Sequence, residues 1–336
     1  QQNGVGNLPW LCTNVYAHLR PPLVNVIIVL LIRHHVNQKQ FSAAFHAHWG
    51  TMSPSQYSTG GSVPPTAQHW VIGVDLGGTK IALGLIDPQD RIVTQQRIAT
   101  AAEEGPVTTV ARIAVAVEVL SRHLPAGASV DALGICTPGP INHVTGMLID
   151  PPNLPGLHNA PLRDTLSARL GIPVCLEHDA KAAALGEFHY GAGRGERSMV
   201  YIVIGTGVGG AIILDGHLYR GAHNSAGEIG HTMLDPDGDL CACGSRGCVE
   251  THLAGPWLAR RYKRAKHCDP VPGRPEGTSG GDTTITGEGV ARRAQNGDKL
   301  AQQVMTGAGK ALGVAVATMA MVLDVDFYVI GGSVAK

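Results

Sequence analysis

Residues 199–210, Met-Val-Tyr-Ile-Val-Ile-Gly-Thr-Gly-Val-Gly-Gly, join an apolar stretch to a glycine-rich turn. Apolar residues on both sides of the turn predict two strands, at Ser198–Ile204 and Gly210–Leu214. Because glycine has no Cβ, backbone N–H groups in such a turn can approach phosphate oxygens closely. The candidate phosphate-binding residues of this turn are Gly205, Thr206, Gly207, Gly209 and Gly210.

A second turn of the same kind lies earlier in the chain, between predicted strands at Trp70–Asp75 and Lys80–Asp87. Its candidate phosphate-binding residues are Asp75, Gly77, Gly78, Thr79 and Lys80, and Asp75 can also hold Mg²⁺ through water. Either turn alone can be a plain hairpin connection. The pair predicts an α/β fold of two ribonuclease H-like lobes, with one phosphate-binding turn from each lobe at a central cleft. This is the arrangement of the sugar-kinase, actin and heat-shock ATPase superfamily.

The pattern of strands and helices divides the chain into three segments. Residues 1–69 show no sustained period of two or of 3.6, and we expect an extra N-terminal segment that is disordered or non-native. Residues 70–190 are the expected small α/β lobe, and residues 191–336 the expected large one. The last predicted strand, Phe327–Ile330, is followed by a glycine pair and by no helix, so we expect the large lobe to be truncated at its C-terminus.

Several local patterns predict individual elements. A helix is expected at Leu162–Leu170, closed by Gly171 as a C-terminal cap. Residues 269–283 are rich in Pro, Gly, Ser and Thr and predict a surface loop. Thr286 is the expected cap of the next helix, and a long helix rich in Ala, Gly, Val and Met then extends to about Leu323.

Composition and charge narrow the class of protein. Lys and Arg together number 26 and Asp and Glu also 26, so no basic surface for nucleic acid is expected. The longest apolar run, Leu23–Ile32, is about half the ~20 residues that span a bilayer, and no cleavage site of small residues follows it. Three of the seven cysteines lie within one short stretch, which favours metal ligands in a reducing compartment. We therefore expect a cytoplasmic protein without a membrane partner.

Asp179 lies between a predicted strand, Val174–Glu177, and a predicted helix, Ala180–Tyr190. An Asp at this position can simply cap the helix, which contributes ~1 kcal/mol. The carboxyl end of a strand in an α/β sheet is also where ligands bind. A carboxylate there can accept the proton of a hydroxyl group that attacks a γ-phosphate, so Asp179 is the candidate catalytic base.

His231, Cys241, Cys243 and Cys248 form the most specific pattern in the chain. Three thiolates and one imidazole make a closed tetrahedral Zn²⁺ site, and a closed site is structural rather than catalytic. Such a site would also orient the carboxylates nearest to it in sequence, Glu228 and Glu250, although both can equally be surface residues.

These motifs together resemble those of the ROK family. Residues 205–231, with Gly221, Gly227 and Gly230-His231, are similar to the family signature. Asp75–Lys80 resembles its first phosphate loop, and Cys241–Glu250 resembles its zinc motif. Gly331-Gly332-Ser333 resembles its adenosine-binding loop, and the likeness extends over residues 70–336.

The resemblance implies an ATP-dependent hexose kinase that uses ATP and Mg²⁺ and carries a structural zinc ion. It implies that Asp179 is the base and that Asn153, Asp179, Glu228, His231 and Glu250 bind the sugar. It also implies that Gly331 and Gly332 contact the nucleotide and that the enzyme is a homodimer or homotetramer. His178 departs from the asparagine that usually precedes the base.

The substrate stays open at this point. Asn153-Leu154-Pro155-Gly156 and the Cys-x-Cys spacing are most similar to bacterial glucokinases, which favours conversion of glucose to glucose 6-phosphate. N-acetylmannosamine and N-acetylglucosamine kinases share nearly all of these motifs. The sequence also leaves open whether polyphosphate can replace ATP as the phosphoryl donor. A sugar-responsive ROK repressor is the alternative of another class, but residues 1–69 lack the two amphipathic helices and the basic pattern of a DNA-binding domain.

Overall fold

A computed structural model describes residues 14–17, 69–268 and 285–335, so the predicted surface loop at 269–283 lies outside the described residues. The chain divides into two compact units. Among the described residues, 69–190 form the N-terminal unit, and 14–17, 191–268 and 285–335 form the C-terminal unit. Within the predicted N-terminal segment, the structure describes a strand at Asn14–Ala17, which belongs to the C-terminal unit.

The described residues form strands and helices in the following order. The strands are β1 (Asn14–Ala17), β2 (Trp70–Leu76), β3 (Lys80–Ile86), β4 (Ile92–Ala99), β5 (Val130–Thr137), β6 (Ile141–Asn142), β7 (Met147–Leu148), β8 (Val174–His178), β9 (Met199–Ile204), β10 (Val208–Leu214), β11 (His217–Tyr219) and β12 (Phe327–Gly331). The α-helices are α1 (Gly105–Ser121), α2 (Leu162–Leu170), α3 (Asp179–Tyr190), α4 (Val249–Leu253), α5 (Gly255–Cys268), α6 (Gly287–Gln295) and α7 (Lys299–Leu323). Short 3₁₀ turns lie at Ala102–Glu104 and Ile229–His231.

The N-terminal unit is built on a five-stranded sheet in the order β4-β3-β2-β5-β8. The pairs β4–β3 and β3–β2 are antiparallel, whereas β2, β5 and β8 run parallel. Fully buried Ile72, Leu83 and Ile135 from the strands pack in one core with Ile113 of α1 and Leu166 of α2. Because β2, β5 and β8 are parallel, their carboxyl ends lie at the same edge of the sheet.

The C-terminal unit has a second five-stranded sheet, in the order β1-β12-β9-β10-β11. Here β11, β10 and β9 are antiparallel and β9, β12 and β1 are parallel, which repeats the pattern of strand directions in the first sheet. Val200, Ile202 and Tyr328 are buried in the core of this unit and pack with Ala315 of α7. The predicted α/β class is therefore confirmed.

Most local predictions are confirmed by these elements. The first glycine turn connects an antiparallel pair, and Gly171 adopts a left-handed conformation with φ of 69° at the end of α2. Thr286 caps α6, since its Oγ1 accepts a hydrogen bond from the N–H of Gly289 at 3.1 Å. The predicted start of β10 at Gly210 is wrong by two residues, because the strand already begins at Val208.

The reason for this difference is tertiary packing. A Cβ atom at Gly210 would lie 2.8 Å from the carbonyl oxygen of Tyr201 and 2.8 Å from that of Gly227. The glycine therefore makes room for neighbouring backbone within a strand, a function that sequence alone does not distinguish from turn formation.

Within the described residues, α7 is the single helix that is long and apolar enough by composition to cross a membrane. Ala308, Ala311 and Ala315 on this helix pack into the core of the C-terminal unit, while Met321 and Val322 are exposed. A core helix of a soluble protein meets the same criterion, so this one helix is weak evidence for a membrane span.

Candidate functional site

Two of the predicted acidic residues lie at the carboxyl edge of the sheet in the N-terminal unit. Asp75 is near the end of β2, and Asp179 begins α3 directly after β8. In the parallel part of the sheet Asp75 lies opposite Cys136, and Cys136 lies opposite Glu177. Three neighbouring strands thus bring Asp75 and Asp179, which are far apart in sequence, to the carboxyl edge of the sheet, where open α/β sheets generally bind their ligands.

The two carboxylates interact electrostatically. Burial raises the pKa of Asp75, and the negative charge of Asp179 raises it further. The Cys136 thiol, which donates to Oδ1 of Asp75 at 3.7 Å, and the charge of Lys80 lower it in part. The side chain of Asp179 is 47% exposed and accessible to a substrate. A divalent cation beside Asp75 would relieve the repulsion between these groups.

Asp179 is held by its immediate neighbours. Its Oδ1 accepts a hydrogen bond from the N–H of Ala180 at 2.6 Å and lies 3.3 Å from Nδ1 of His178. Both contacts involve the same oxygen.

The first glycine turn is fixed by a residue that sequence analysis did not select. Thr100 is fully buried, and its Oγ1 donates to the carbonyl oxygen of Gly77 at 2.6 Å. The N–H of Thr100 also donates to the carbonyl oxygen of Thr79 at 3.1 Å. Buried threonines at strand ends are common, so no sequence pattern distinguished Thr100 as a residue that holds the glycine turn.

The same turn lies against the segment that contains Asn153. A Cβ atom at Gly78 would lie 2.6 Å from the carbonyl oxygen of Asn153, which is closer than real Cβ atoms approach any neighbour. Asn153 and the first turn are therefore adjacent within the N-terminal unit, as a shared substrate site requires.

In the C-terminal unit, the glycine turn at residues 205–207 and the glycine pair Gly331-Gly332 lie at the same edge of the sheet. The turn at residues 205–207 follows β9, and Gly331-Gly332 ends the parallel neighbour β12. Gly332 has φ of 101°, and a side chain there would overlap the carbonyl of Ile204. The N–H of Val334 donates to that carbonyl oxygen at 3.1 Å, so both turns share one backbone contact. Gly209 and Gly210 lie within β10.

His231, Cys241, Cys243 and Cys248 form one cluster in which all four ligand atoms lie within 4.8 Å of one another. Sγ of Cys241 is 3.7 Å from Nδ1 of His231, and Sγ of Cys243 is 3.7 Å from Sγ of Cys248. A tetrahedral ion with metal–sulfur bonds of about 2.3 Å places its ligand atoms about 3.6–3.8 Å apart. The cluster therefore fits a tetrahedral metal ion.

Backbone hydrogen bonds hold residues 241–245 of this cluster in a tight turn. The N–H of Cys241 donates to the carbonyl oxygen of Ser245 at 2.8 Å, and the N–H of Gly244 donates to that of Cys241 at 3.0 Å. A backbone hydrogen bond from Ser245 lowers the pKa of Cys243 to about 7, so this thiol ionises readily for metal binding.

The two candidate glutamates occupy different positions beside the cluster. Glu228 is half-buried and directly precedes the 3₁₀ turn that carries His231. Glu250 lies in α4, two residues after Cys248 of the cluster. Its Oε2 accepts a hydrogen bond from the N–H of Val208 at 3.0 Å, and its Oε1 lies 3.6 Å from Sγ of Cys241. Glu250 thus contacts both the cluster and the second glycine turn.

Comparisons with known proteins agree with these features. The sequence model of the ROK family matches residues 71–336. A glucokinase of Streptomyces coelicolor is 35% identical over 266 residues, covering 78% of this chain and 81% of that protein. An N-acetylmannosamine kinase of Yersinia pestis is 33% identical over 263 residues, covering 78% and 82%.

Solved structures show the same likeness. The ROK hexokinase of Thermus thermophilus is 36% identical with a TM-score of 0.68, covering 79% of this chain and 82% of that one. A ROK family glucokinase of Streptomyces griseus, in complex with glucose and AMPPNP, is 35% identical with a TM-score of 0.63, covering 79% and 83%.

The chain therefore belongs to the ROK family and has the fold of its sugar kinases. The glucokinase relatives and the hexokinase structure also confirm the prediction of a sugar-kinase phosphotransferase.

Proposed function

We propose that the protein transfers the γ-phosphoryl group of ATP to a hexose, with glucose as substrate and glucose 6-phosphate as product. The observation that carries this proposal is the half-exposed carboxylate of Asp179 beside Asp75, at the ligand-binding edge of the sheet. The glucokinase of Streptomyces griseus, which binds glucose and AMPPNP, supports the choice of both substrates.

In this mechanism Asp179 orients the sugar hydroxyl and accepts its proton as the phosphoryl group is transferred. Sugar hydroxyls are very weak acids, so the proton leaves during transfer rather than before it. Asp75 would hold Mg²⁺ through water, and the ion supplies positive charge that offsets the charge of the phosphate oxygens.

The glycine turns bind the nucleotide. The N–H groups of Gly78, Thr79, Thr206 and Gly207 donate to phosphate oxygens, together with the Thr79 and Thr206 hydroxyls and the Lys80 ammonium group. The N–H groups of Gly77 and Gly205 instead close the turns, because they donate to the carbonyl oxygens of Lys80 and Gly207. Gly209 and Gly210 support the second turn from within β10, and Gly331-Gly332 contacts the adenosine.

Asn153, Glu228, His231 and Glu250 bind the sugar hydroxyls in this proposal. N-acetylmannosamine is the second candidate substrate, because the Yersinia pestis relative is nearly as similar as the glucokinases. N-acetylglucosamine is a third candidate with the same motifs.

The metal proposed for the Cys₃His cluster is Zn²⁺, and its role is structural. Three sulfur ligands and one nitrogen suit zinc, and four protein ligands leave no position for substrate. We also propose a cytoplasmic location, where thiols stay reduced, and a homodimer or homotetramer, which light scattering of the purified protein tests.

A coupled assay of ADP release, run with glucose, mannose, fructose and the two N-acetylhexosamines, tests the substrate. The proposal predicts the highest kcat/KM with glucose. A higher kcat/KM with an N-acetylhexosamine would contradict it, and product formed with polyphosphate in place of ATP would extend the donor range.

A further inference from the structure

The second glycine turn is held by the segment that follows the metal cluster. Oε2 of Glu250 accepts a hydrogen bond from the N–H of Val208, and a Cβ atom at Gly207 would lie 2.7 Å from the same oxygen. The carbonyl oxygen of Gly205 accepts a hydrogen bond from the N–H of Gly255 at 2.9 Å. Both ends of the turn are thus tied to residues 250–255.

The position of residues 250–255 depends in turn on the cluster. Glu250 lies in the first turn of α4, and the residue that immediately precedes this helix is the ligand Cys248. The N–H of Ala254 donates to the carbonyl oxygen of Glu250 at 3.0 Å, which links the helix to Gly255. A metal ion that fixes Cys241 and Cys248 would therefore also fix the carboxylate of Glu250 above the turn.

We propose that Glu250 is a positioning residue that couples the metal cluster to the nucleotide-binding turn, so that loss of the metal weakens nucleotide binding before any sugar is present. This inference rests on the proposed function of residues 205–207 as a phosphate-binding turn. It goes beyond the assignment of Glu250 as a sugar ligand, because the contact with Val208 requires no sugar.

The chemistry of the contact supports this role. A carboxylate acceptor makes a stronger hydrogen bond to a backbone N–H than a neutral oxygen does. The bond fixes the direction of the Val208 peptide and, through it, the N–H groups of the two residues before it. Since phosphate binding uses several N–H groups at once, a small rotation of this peptide weakens all of these contacts together.

The experiment measures the affinity of AMPPNP with Mg²⁺ in the absence of sugar, by calorimetry, for zinc-loaded and chelator-treated protein. For the wild type we expect zinc removal to weaken binding roughly tenfold, as loss of one charge-assisted hydrogen bond does. Glu250→Ala should bind AMPPNP weakly even when zinc is present, and its affinity should fall little further when the zinc is removed. Glu250→Gln retains an acceptor oxygen and should keep most of the coupling.

Glu288→Ala is the matched control, because Glu288 is an exposed glutamate in the first turn of another helix of the same unit. It should show the wild-type response to chelation. Equal loss of affinity on chelation in wild type and Glu250→Ala would overturn the inference, and so would wild-type affinity in Glu250→Ala.

Hydrogen exchange at the N–H of Val208 provides a readout that needs no variant. Its protection should fall roughly tenfold when zinc is removed, by the same loss of one hydrogen bond. Unchanged protection would overturn the inference even if the protein still binds AMPPNP. A wild-type protein that binds zinc but not AMPPNP would instead contradict the proposed function.

Discussion

Gly78 and the carbonyl oxygen of Asn153 are so close that a Cβ atom at residue 78 would lie only 2.6 Å from that oxygen. The first glycine turn, proposed to bind phosphate, and the segment proposed to bind sugar are therefore in direct backbone contact. Backbone cannot yield as a flexible side chain can, so any side chain at residue 78 must displace one of the two segments.

Gly78→Ala should consequently raise the KM for sugar and for ATP together. Overpacking of this kind costs about 1–3 kcal/mol, which corresponds to a loss of kcat/KM of roughly 5- to 150-fold. Gly309→Ala is the control, because a Cβ atom there meets nothing within 4 Å on α7. Steady-state kinetics with each substrate varied would test this, and an unchanged KM for both substrates would show that the contact is dispensable.

Asp75→Asn should stabilise the protein at neutral pH while lowering its activity. Burial and Asp179 raise the pKa of Asp75 above its ordinary value of 3.8, so the folded state binds the proton more tightly than the unfolded state. The free energy of unfolding therefore falls as the pH rises from 3.8 through the raised pKa of Asp75. Above that pH range the ionised carboxylate of Asp75 destabilises the folded state. The asparagine removes this penalty.

Melting temperatures measured without nucleotide at several pH values would test this expectation. The Tm advantage of Asp75→Asn should be largest at pH 7 and should shrink as the pH is lowered towards 4. Activity should fall about 10²-fold, since the carboxylate proposed to hold Mg²⁺ beside the phosphates is lost. A variant that melts below the wild type at pH 7 would show that Asp75 does not destabilise the apo fold.

Cys243→Ser should reduce the zinc content, the melting temperature and the sugar affinity together. A metal ion held by the cluster would order the segment that carries His231 and Glu250, so loss of one cluster residue should disorder more than that residue itself. Elemental analysis of protein purified without chelator should give about one zinc per wild-type chain. Cys175→Ser is the matched control, because Cys175 is a free cysteine outside the cluster.

If Cys243→Ser kept both its zinc and its full sugar affinity, Cys243 would not be a ligand. Loss of zinc from Cys175→Ser as well would indicate general misfolding rather than a specific effect on the cluster.

Much of the fold could be predicted because local sequence and local structure agree. The turn after Asp75, the glycine after α2 and the threonine before α6 each satisfy a backbone requirement that only a few residue types meet. Strand β4 (Ile92–Ala99) was not predicted, since its residues alternate between half-buried and exposed and none except Ile92, Val93, Ile98 and Ala99 is apolar.

The internal geometry of the candidate site was less predictable, because it depends on contacts between residues distant in sequence. The cysteine cluster was found from spacing alone, since its ligands are close along the chain. The contact of Glu250 with Val208 and the contact of Thr100 with the first turn result from strand pairing and packing. No spacing rule indicates such contacts.

The carboxylate of Asp179 is proposed to accept the proton of the sugar hydroxyl, and Asp179→Asn tests this role most directly. Asparagine keeps the size of the side chain and an acceptor for the N–H of Ala180, so the variant should fold and bind sugar nearly normally. Loss of the charge should lower kcat by ~10²–10⁴-fold, the usual cost of losing a general base. We therefore predict this fall in kcat with a melting temperature close to that of the wild type, measured on the same preparation. A kcat within a few-fold of the wild type would contradict the account and remove Asp179 from the mechanism.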